Sequence, residues 1–505
     1  MSGASATATS EPFDPAARGP VFLARVLVAL ACLFFLLQEL PYFQTRWIED
    51  ESSYSDAAWS FAREGRIRMS MYPPTDVGSV VDVRPPAMPI ALGAAFRVVG
   101  IGVWQARLLP LLFGLCTIVV TYLLGMQLAG RWVGAIAALL VATDNVLFVA
   151  GRTTRPESIV TFLDVLAFLL FLLAMRRNSW WLALCAGLSA GLAMEFHING
   201  VIAPLAMGLW ALYEYGFRVV RRPVAWIFVL AAVLAMLPYV LWVNEDAVHR
   251  QAYREMQALG TVVQHAAGRF QGELMRYSDF LGFGNMKVSL PIRIPARGPL
   301  TLVILAGLVV LFQRQRQLFW RLALLLVACM GWWYYLANKN VRYTVVASPV
   351  FAIIVAAAAV AISTTPKLRR WAMAGCVLFF LNQVAGNAFL VYRFRNADYN
   401  AVTAGLREAI PAGATACGMN TFWLGLHDRR YFSFDRTSFD YAITRIKPEY
   451  LILYDRVMMR GSGFGADDFA GMRSAATEFV RTHGEKTATV SNPFYGDLEI
   501  YRVRY

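Results

Sequence analysis

The sequence predicts a polytopic α-helical membrane protein with about eleven transmembrane helices and a small C-terminal α/β domain outside the membrane. Of its 505 residues, 58% are hydrophobic and 16% are charged, whereas soluble proteins average roughly 45–50% apolar and about 25% charged residues. Apolar runs long enough to cross a bilayer recur from Val21 to Tyr392 and then stop. The short connections between these runs alternate in charge, which is typical of a chain that crosses a membrane repeatedly.

The predicted spans follow from the rule that about 20 apolar residues cross a bilayer. Their approximate centres are Ala31, Cys116, Leu140, Ala167, Gly187, Leu209, Ala232, Leu308, Ala328, Val355 and Phe379. The first run has no small-residue cleavage site after it, so we interpret it as a retained span. The apolar stretch 86–100 is short and contains Arg97. We expect it to form an interfacial helix along the membrane surface.

The charge pattern predicts the orientation. If the N-terminus is cytoplasmic, every inner connection is basic and lacks acidic residues, as the positive-inside rule requires. The residues concerned are Arg131, Arg176, Arg177, Arg218, Arg221, Arg222, Arg314, Arg316, Arg321, Lys367, Arg369 and Arg370. This places the loops 44–104 and 244–299, together with residues 393–505, outside a cytoplasmic (inner) membrane.

The two ends of the chain differ from the transmembrane region 21–392 in composition. Residues 1–20 are rich in Ser, Ala, Thr and Pro, which predicts a disordered cytoplasmic segment. Residues 393–505 alternate between helical and strand periodicity, which predicts the extracytoplasmic α/β domain. We expect helices at Tyr399–Ile410 and Tyr441–Ile446, and strands at Thr415–Met419, Tyr450–Tyr454 and Leu498–Val503.

Composition and motifs argue against several classes of function. The formal net charge is +14, but the positive residues form short clusters between apolar runs, which favours membrane orientation over nucleic-acid binding. Only Cys417 lies in the C-terminal region, so no disulfide framework can form within it. The sequence has no Walker, Rossmann or HExxH motif, which argues against nucleotide-driven transport and the common zinc-hydrolase mechanism.

Acidic residues mark the first outer loop. Glu49, Asp50 and Glu51 follow a span directly, and adjacent carboxylates at a bilayer surface need a compensating cation or a function. Together with Glu157 they could hold a divalent cation through oxygen ligands, although no spacing requires one. A solvated loop is the alternative interpretation.

Basic residues occur on the predicted outer side, against the charge rule. Arg152 and Arg155 precede Glu157 in one short connection, and Lys339 and Arg342 occupy another. A bound phosphate would explain these positions, because guanidinium groups suit phosphate geometry. Structural ion pairs and lipid-headgroup contacts are the alternatives. His197, where the fifth span meets the outside, is a candidate proton carrier or a hydrogen-bonded interfacial side chain.

Acidic and basic groups thus converge on one membrane face, as expected of a site that binds an anionic lipid-linked molecule and performs acid/base chemistry on it. In this context the sequence resembles the GT-C glycosyltransferases, in the bacterial branch related to aminoarabinose transferase and protein O-mannosyltransferase. The resemblance covers most of Val21–Tyr392. It rests, in order, on Asp50-Glu51 with Tyr54, Val83-Arg84-Pro85-Pro86, Arg107-Leu108-Leu109-Pro110, Arg152 with Arg155-Pro156-Glu157, and Arg342-Tyr343 with Pro349.

The chain departs from the family pattern at two points. Arg84 replaces the usual lysine, with Asp82 one position further back than the family's acidic neighbour. The sequence beginning at His197, His-Ile-Asn-Gly, replaces the Thr-Lys-Gly-Pro type of turn of the aminoarabinose branch. These differences leave the identity of the sugar open.

The resemblance implies a polyprenyl-phosphate sugar as donor and an inverting displacement at the anomeric carbon. It implies that Asp50 is the general base with Glu51 close by, and that Glu157 orients the acceptor or shares the basic role. The carrier phosphate would be bound by Arg84, Arg155, Lys339 and Arg342. The other expected substrate contacts are Tyr54, Asp82, Arg152, His197 and Tyr343.

The acceptor could be a lipid, a cell-envelope glycan or a protein, and no nucleic-acid partner is expected. The alternative functions are a secondary transporter or flippase for lipid-linked sugars, and a non-catalytic scaffold. A transporter predicts inverted repeats around a midplane site, and the sequence has no such repeat. An anchor would not need eleven spans with charges on the unexpected side.

Overall fold

The computed structural model describes residues 21–72, 85–244, 270–274, 298–335, 341–434, 439–454 and 466–505. Three of the predicted site residues, Asp82, Arg84 and Lys339, lie outside these ranges. So do the predicted disordered segment 1–20 and most of the second outer loop, 244–299. Every structural statement below concerns the described ranges.

The membrane part is a bundle of apolar helices. The helices at the predicted spans are α1 (Val21–Glu39), α4 (Val103–Ala129), α5 (Arg131–Ala142), α7 (Glu157–Arg177), α8 (Trp180–Phe196), α9 (Ile202–Tyr215), α10 (Pro223–Val243), α11 (Gly298–Arg314), α12 (Arg316–Tyr335), α13 (Ser348–Ser363) and α14 (Pro366–Phe394). Within the described ranges, 7 helices are long and apolar enough to cross a membrane, or 8 with one bent pair. The chain is therefore a multi-pass membrane protein, and the count of eleven spans stays a prediction.

The bent pair replaces the single helix predicted around Leu140. Helix α5 ends at Ala142, and α6 (Asn145–Gly151) continues at an angle of 64°. The Asp144 carboxylate accepts hydrogen bonds from the amides of Val146 (3.0 Å) and Leu147 (2.8 Å). A side chain that caps a new helix N-terminus competes with continuation of the preceding helix. The break directs α6 toward the connection that carries Arg155.

Small residues allow two of these helices to pack closely. A Cβ atom on Gly187 would lie 2.3 Å from the Phe228 carbonyl oxygen, and one on Gly191 would lie 2.4 Å from that of Ala232. These glycines are four residues apart on α8, so they form one smooth stripe against α10. Membrane helices associate through such small-residue stripes because lipid provides little hydrophobic driving force between helices.

The predicted first outer loop contains two helices that pack on each other. They are α2 (Glu49–Glu64) and α3 (Ala87–Val99), the latter at the predicted interfacial stretch. A Cβ atom on Gly93 of α3 would lie 2.6 Å from the Ala58 carbonyl oxygen, so only glycine permits this approach. Arg97 donates from Nε to the Ala62 carbonyl oxygen (2.9 Å) and so satisfies the C-terminal end of α2.

The C-terminal region folds as a mixed sheet with flanking helices. Its elements are α15 (Tyr399–Ala409), β1 (Thr415–Gly418), β2 (Arg430–Ser433), a π-helical turn (Ala442–Ile446), β3 (Tyr450–Tyr454), α16 (Ala466–His483), β4 (Gly484–Asn492) and β5 (Gly496–Val503). In the described ranges the sheet has five strands in the order β2-β1-β3-β5-β4. The first three are parallel, whereas β5 is antiparallel to β3 and β4. The central strands are buried, and the domain core lies between them and the helices.

Candidate active site

The site begins at the first turn of α2, where two neighbouring carboxylates point in different directions. Asp50 and Glu51 lie at the helix N-terminus, where the helix dipole favours negative charge. Successive helical residues are rotated by about 100°. The Asp50 side chain is 35% exposed, whereas that of Glu51 is 0% exposed. The two groups therefore have different surroundings.

Glu51 is held by Arg107 at the start of α4. The Arg107 guanidinium donates to both carboxylate oxygens, from Nε at 2.9 Å and from Nη2 at 2.8 Å. The Thr154 amide donates a third hydrogen bond to Glu51 at 2.9 Å. The remaining Arg107 donors bind the carbonyl oxygens of Phe43, Thr45 and Arg46. This fully buried pair therefore fixes the loop before α2 to the membrane bundle, and Glu51 has no exposed surface for a substrate.

Asp50 belongs to a separate cluster. Its carboxylate pairs with Nη1 of Arg155, from the connection between α6 and α7. Arg155 also donates from Nε to Oε1 of Glu157 at 2.7 Å. The second oxygen of Glu157, Oε2, is buried and has no hydrogen-bond partner among the described residues. We call Asp50, Arg155, Glu157 and Arg342 the carboxylate–arginine cluster.

Arg342 reaches the same point from the turn before α13. Its Nη1 lies 3.7 Å from the Asp50 carboxylate, which is beyond direct hydrogen-bond distance. Burial disfavours the charged form of Arg155, but the carboxylates of Glu157 and Asp50 outweigh this and raise its pKa. The cluster therefore contains two cationic groups from separate elements beside a half-exposed carboxylate. Such an arrangement can bind a phosphate and accept a proton at one place.

His197 and Tyr343 border the cluster. Their rings lie 5.1 Å apart, and His197 Nδ1 accepts a hydrogen bond from the Asn199 amide at 3.1 Å. Burial lowers the pKa of His197 to about 4, although the charge of Glu157 acts in the opposite direction. His197 is therefore neutral at pH 7. Since Nδ1 accepts, its remaining proton is on Nε2.

Two other predicted substrate contacts, Arg152 and Tyr54, are buried. Arg152 is 0% exposed, and its guanidinium lies over the Phe148 ring at 5.0 Å from the centroid. It interacts electrostatically with the buried carboxylate of Glu39 at the end of α1. Tyr54 is buried one turn along α2 and lies close enough to Arg155 to interact with it. The predicted contact of Arg152 with substrate does not fit this burial.

Sequence reasoning did not select Arg107 as a site residue. In the sequence Arg107 belongs to a family motif only, whereas in the structure it makes five hydrogen bonds near the site. The signal that could have identified it is an arginine at the outer end of an apolar run, because such residues in membrane segments are paired or functional.

Asp56 is a second buried carboxyl on α2 that sequence reasoning did not select. It accepts hydrogen bonds from the Ser70 hydroxyl (2.5 Å) and the Met71 amide (2.8 Å). Burial raises its pKa to about 7 from 3.8. Asp56 therefore holds the segment that follows α2, at Ser70 and Met71, against the helix.

The raised pKa of Asp56 predicts a pH dependence of stability. Between about pH 4 and pH 7 the folded state holds a proton on Asp56 that the unfolded state has lost. The contribution of Asp56 to the free energy of unfolding therefore decreases as pH rises toward 7. Asp56→Asn removes the titration. We therefore expect wild type to be more stable relative to Asp56→Asn at pH 5 than at pH 8, by on the order of a few kcal/mol. Thermal melting of both proteins in nanodiscs at the two pH values measures this difference, and an identical difference at both would contradict it.

The carboxylates do not gather into a metal centre in the described part of the chain. No group of three or more His, Cys, Asp or Glu side chains there is arranged to hold a metal ion. The divalent cation expected as an option on the first outer loop stays a prediction. The dependence of turnover on added Mg²⁺ after EDTA treatment tests it.

Comparison with known proteins gives one family match. Residues 83–242 match the profile of the dolichyl-phosphate-mannose-protein mannosyltransferases. An uncharacterized protein of Aquifex aeolicus is 24% identical in an alignment of 221 residues that covers 38% of this chain and 43% of that protein. The chain thus matches less than half the length of this relative.

Solved structures match over nearly the whole chain. ArnT from Cupriavidus metallidurans superposes with a TM-score of 0.62 at 12% identity, covering 95% of this chain and 98% of ArnT. The same protein bound to undecaprenyl phosphate gives 0.60 at 12% identity, covering 96% and 98%. The Archaeoglobus fulgidus oligosaccharyltransferase gives 0.58 at 14% identity, covering 86% and 70%. The resemblance predicted from the sequence is confirmed, and the fold is that of the GT-C glycosyltransferases.

Proposed function

We propose that this chain transfers a sugar from a polyprenyl-phosphate carrier to an acceptor hydroxyl at the outer face of the cytoplasmic membrane. The observation that carries the proposal is the carboxylate–arginine cluster, in which the half-exposed Asp50 lies beside Arg155 and Arg342. Its place in a GT-C fold supports a lipid-linked donor, since the ArnT structure with undecaprenyl phosphate has that fold.

The two arginines supply the binding site for the carrier phosphate. Arg155 and Arg342 come from separate connections and meet at Asp50. Guanidinium groups bind phosphate bidentately, and a buried position strengthens the interaction. The Arg342 guanidinium lies 3.7 Å from the Asp50 carboxylate, so both arginines face the position proposed for the phosphate. Arg84 and Lys339, which lie outside the described ranges, are proposed to complete the site.

Asp50 is the proposed general base. A phosphate that binds Arg155 and Arg342 offsets the positive charge beside Asp50. The Asp50 carboxylate is then a better proton acceptor, because less positive charge stabilises its ionised form. Donor binding therefore prepares the base. Glu157 keeps Arg155 in place through Oε1. Glu51 and Arg152 are assigned positioning roles because both are fully buried.

The proposed reaction is a single displacement. The acceptor oxygen attacks the anomeric carbon from the face opposite the phosphate and forms the new glycosidic bond. The bond between the anomeric carbon and the phosphate oxygen breaks, and its electron pair leaves with the polyprenyl phosphate, where Arg155 and Arg342 stabilise the charge. The acceptor proton passes to Asp50. The anomeric configuration is therefore inverted.

The proposal places the N-terminus in the cytoplasm and the C-terminal domain outside, in agreement with the charge alternation. The acceptor is a lipid, a cell-envelope glycan or a protein. His197 and Tyr343, next to Glu157, are proposed to contact the sugar or the acceptor.

A panel of donors tests the proposal directly. Purified protein in liposomes is supplied with polyprenyl-phosphate hexoses and pentoses together with envelope-lipid extract. Mass spectrometry follows the loss of sugar from the carrier, and NMR of the product determines the anomeric configuration. We expect one donor to be consumed and its configuration inverted. A product of retained configuration would contradict the single displacement.

The role of Arg342 predicts a change in donor binding. Arg342→Lys keeps the positive charge but loses the planar fork, so its phosphate contacts weaken. We expect KM for the donor to rise about 10- to 100-fold, because hydrogen bonds between charged groups contribute roughly 1.5–3 kcal/mol. The matched control is Arg369→Lys, an exposed arginine in α14 on the predicted inner side. Equal KM values for the two variants would exclude Arg342 from the phosphate site.

A further inference from the structure

The segment that precedes Asp50 is hydrogen-bonded to the C-terminal domain at Trp47. The Trp47 amide donates a hydrogen bond to the Tyr495 hydroxyl at 2.7 Å, and this hydroxyl donates to the Trp47 carbonyl oxygen at 3.2 Å. Both side chains are fully buried. Tyr495 thus satisfies the donor and the acceptor of one peptide residue, three positions before the proposed base.

A second hydrogen-bonded contact with the C-terminal domain lies on the other side of Asp50. The Ser52 hydroxyl donates to the Thr421 carbonyl oxygen at 3.1 Å and accepts a hydrogen bond from the indole of Trp47 at 2.7 Å. The same carbonyl oxygen accepts from the Tyr399 hydroxyl at 2.8 Å. Asp50 therefore lies between two residues that the C-terminal domain holds through hydrogen bonds.

The chain on either side of α2 is also bound to this domain. The Arg46 amide donates to the Ala397 carbonyl oxygen at 2.7 Å. Beyond α2, the Ser433 amide of β2 donates to the Met71 carbonyl oxygen at 2.8 Å. Asp56 links Met71 back to α2. The helix that carries Asp50 is thus attached to the C-terminal domain before it begins and after it ends.

We propose that the C-terminal domain positions Asp50 for catalysis, with Tyr495 as the principal positioning residue. The inference rests on the proposed function and assigns a role to a domain that the transfer chemistry itself does not use. Arg155 and Arg342 belong to the membrane bundle, whereas Asp50 lies on a short helix of an outer loop. A general base must be kept within a fraction of an ångström of its productive position, and a misplacement of about 1 Å can cost about 100-fold in rate.

The test uses Tyr495→Phe, which keeps the ring and removes the hydroxyl. The matched control is Tyr501→Phe on β5, whose hydroxyl donates to Oε2 of Glu499 at 2.8 Å within the sheet. Hydrogen exchange of full-length protein in nanodiscs follows the Trp47 amide. We expect its exchange to become roughly five- to tenfold faster in Tyr495→Phe and to stay unchanged in Tyr501→Phe. Unchanged exchange in Tyr495→Phe would overturn the proposal.

Turnover supplies the second measurement. We expect Tyr495→Phe to lower kcat on the order of tenfold. The donor KM should stay unchanged, because the phosphate-binding arginines are not part of the hydrogen bonds between Trp47 and Tyr495. In the double variant with Asp50→Asn, Tyr495→Phe should cause no further loss of kcat, because a residue that acts by positioning Asp50 has no effect once the carboxylate is gone. A full additional loss in the double variant would reduce Tyr495 to a structural residue and overturn the proposal.

The two proposals fail in different ways. If wild type consumes no donor but the Trp47 amide exchanges faster in Tyr495→Phe, the proposed function is wrong and the tie between domain and loop stands. If wild type transfers sugar and Tyr495→Phe behaves like Tyr501→Phe, the proposed function stands and the positioning role is wrong.

Discussion

Asp50→Asn should lower kcat by a factor on the order of 100 to 10,000, the usual effect of removing a positioned general base. The amide is nearly isosteric with the carboxylate and can still accept from Arg155, so packing should be preserved. It cannot accept the acceptor's proton. The measurement is sugar transfer at saturating donor and acceptor in proteoliposomes.

The control for this variant is Asp428→Asn in the C-terminal domain. Asp428 also pairs with an arginine, Arg407, at 2.7 Å, but on an exposed surface. We expect less than a twofold change in kcat, since exposed ion pairs contribute about 0–1 kcal/mol. If Asp50→Asn loses less than about threefold, Asp50 is not the base, and Glu157 becomes the group to examine.

Arg107→Leu should destabilise the protein by about 3–5 kcal/mol, because it leaves the Glu51 carboxylate buried without its partner. The substitution also removes the donors to three backbone carbonyl groups before α2. Thermal or denaturant unfolding in nanodiscs measures the loss. The double variant Glu51→Gln with Arg107→Leu should recover part of it, since the uncompensated charge is gone.

The pair of Glu214 and Arg321 provides the matched comparison. It is also an arginine–glutamate ion pair, with Nε of Arg321 at 2.5 Å from Oε1 of Glu214, but both side chains are 20% exposed. Arg321→Leu should therefore cost about 1 kcal/mol or less, because water can solvate the remaining carboxylate. Equal losses for Arg107→Leu and Arg321→Leu would show that burial of the Glu51 pair does not determine its contribution.

The membrane helices were predictable because each apolar run has to satisfy its backbone groups within one helix. All the predicted span centres lie in helices. The break at Asp144 was missed, since hydropathy does not register a carboxylate that caps a new helix. In the C-terminal domain, β2 and β4 were also missed. They are rich in polar residues, and β4 is largely exposed, so no apolar alternation marks them.

The four members of the carboxylate–arginine cluster were predictable from the sequence, but their arrangement was not. Family motifs selected Asp50, Glu157, Arg155 and Arg342, which the fold brings together. They could not separate Asp50 from Glu51, because the roles of adjacent helical residues depend on which side of the helix is buried. That orientation is determined by Arg107, which is distant in sequence.

The same limit applies to the two arginines of the second motif. Arg152 and Arg155 are three residues apart in a connection without regular helix, and only the tertiary structure shows that Arg152 is enclosed while Arg155 reaches Asp50. The role of the C-terminal domain also depends on contacts between distant residues, such as Trp47 and Tyr495.

The most direct test of sugar transfer follows two processes in the same proteoliposomes, for wild type and Asp50→Asn. One is the release of free polyprenyl phosphate from the consumed donor, and the other is the crossing of a labelled polyprenyl-phosphate sugar between leaflets. We expect wild type to release the carrier phosphate, Asp50→Asn to release almost none, and neither to accelerate crossing. Accelerated crossing with no release of carrier phosphate would contradict the account and identify the chain as a flippase.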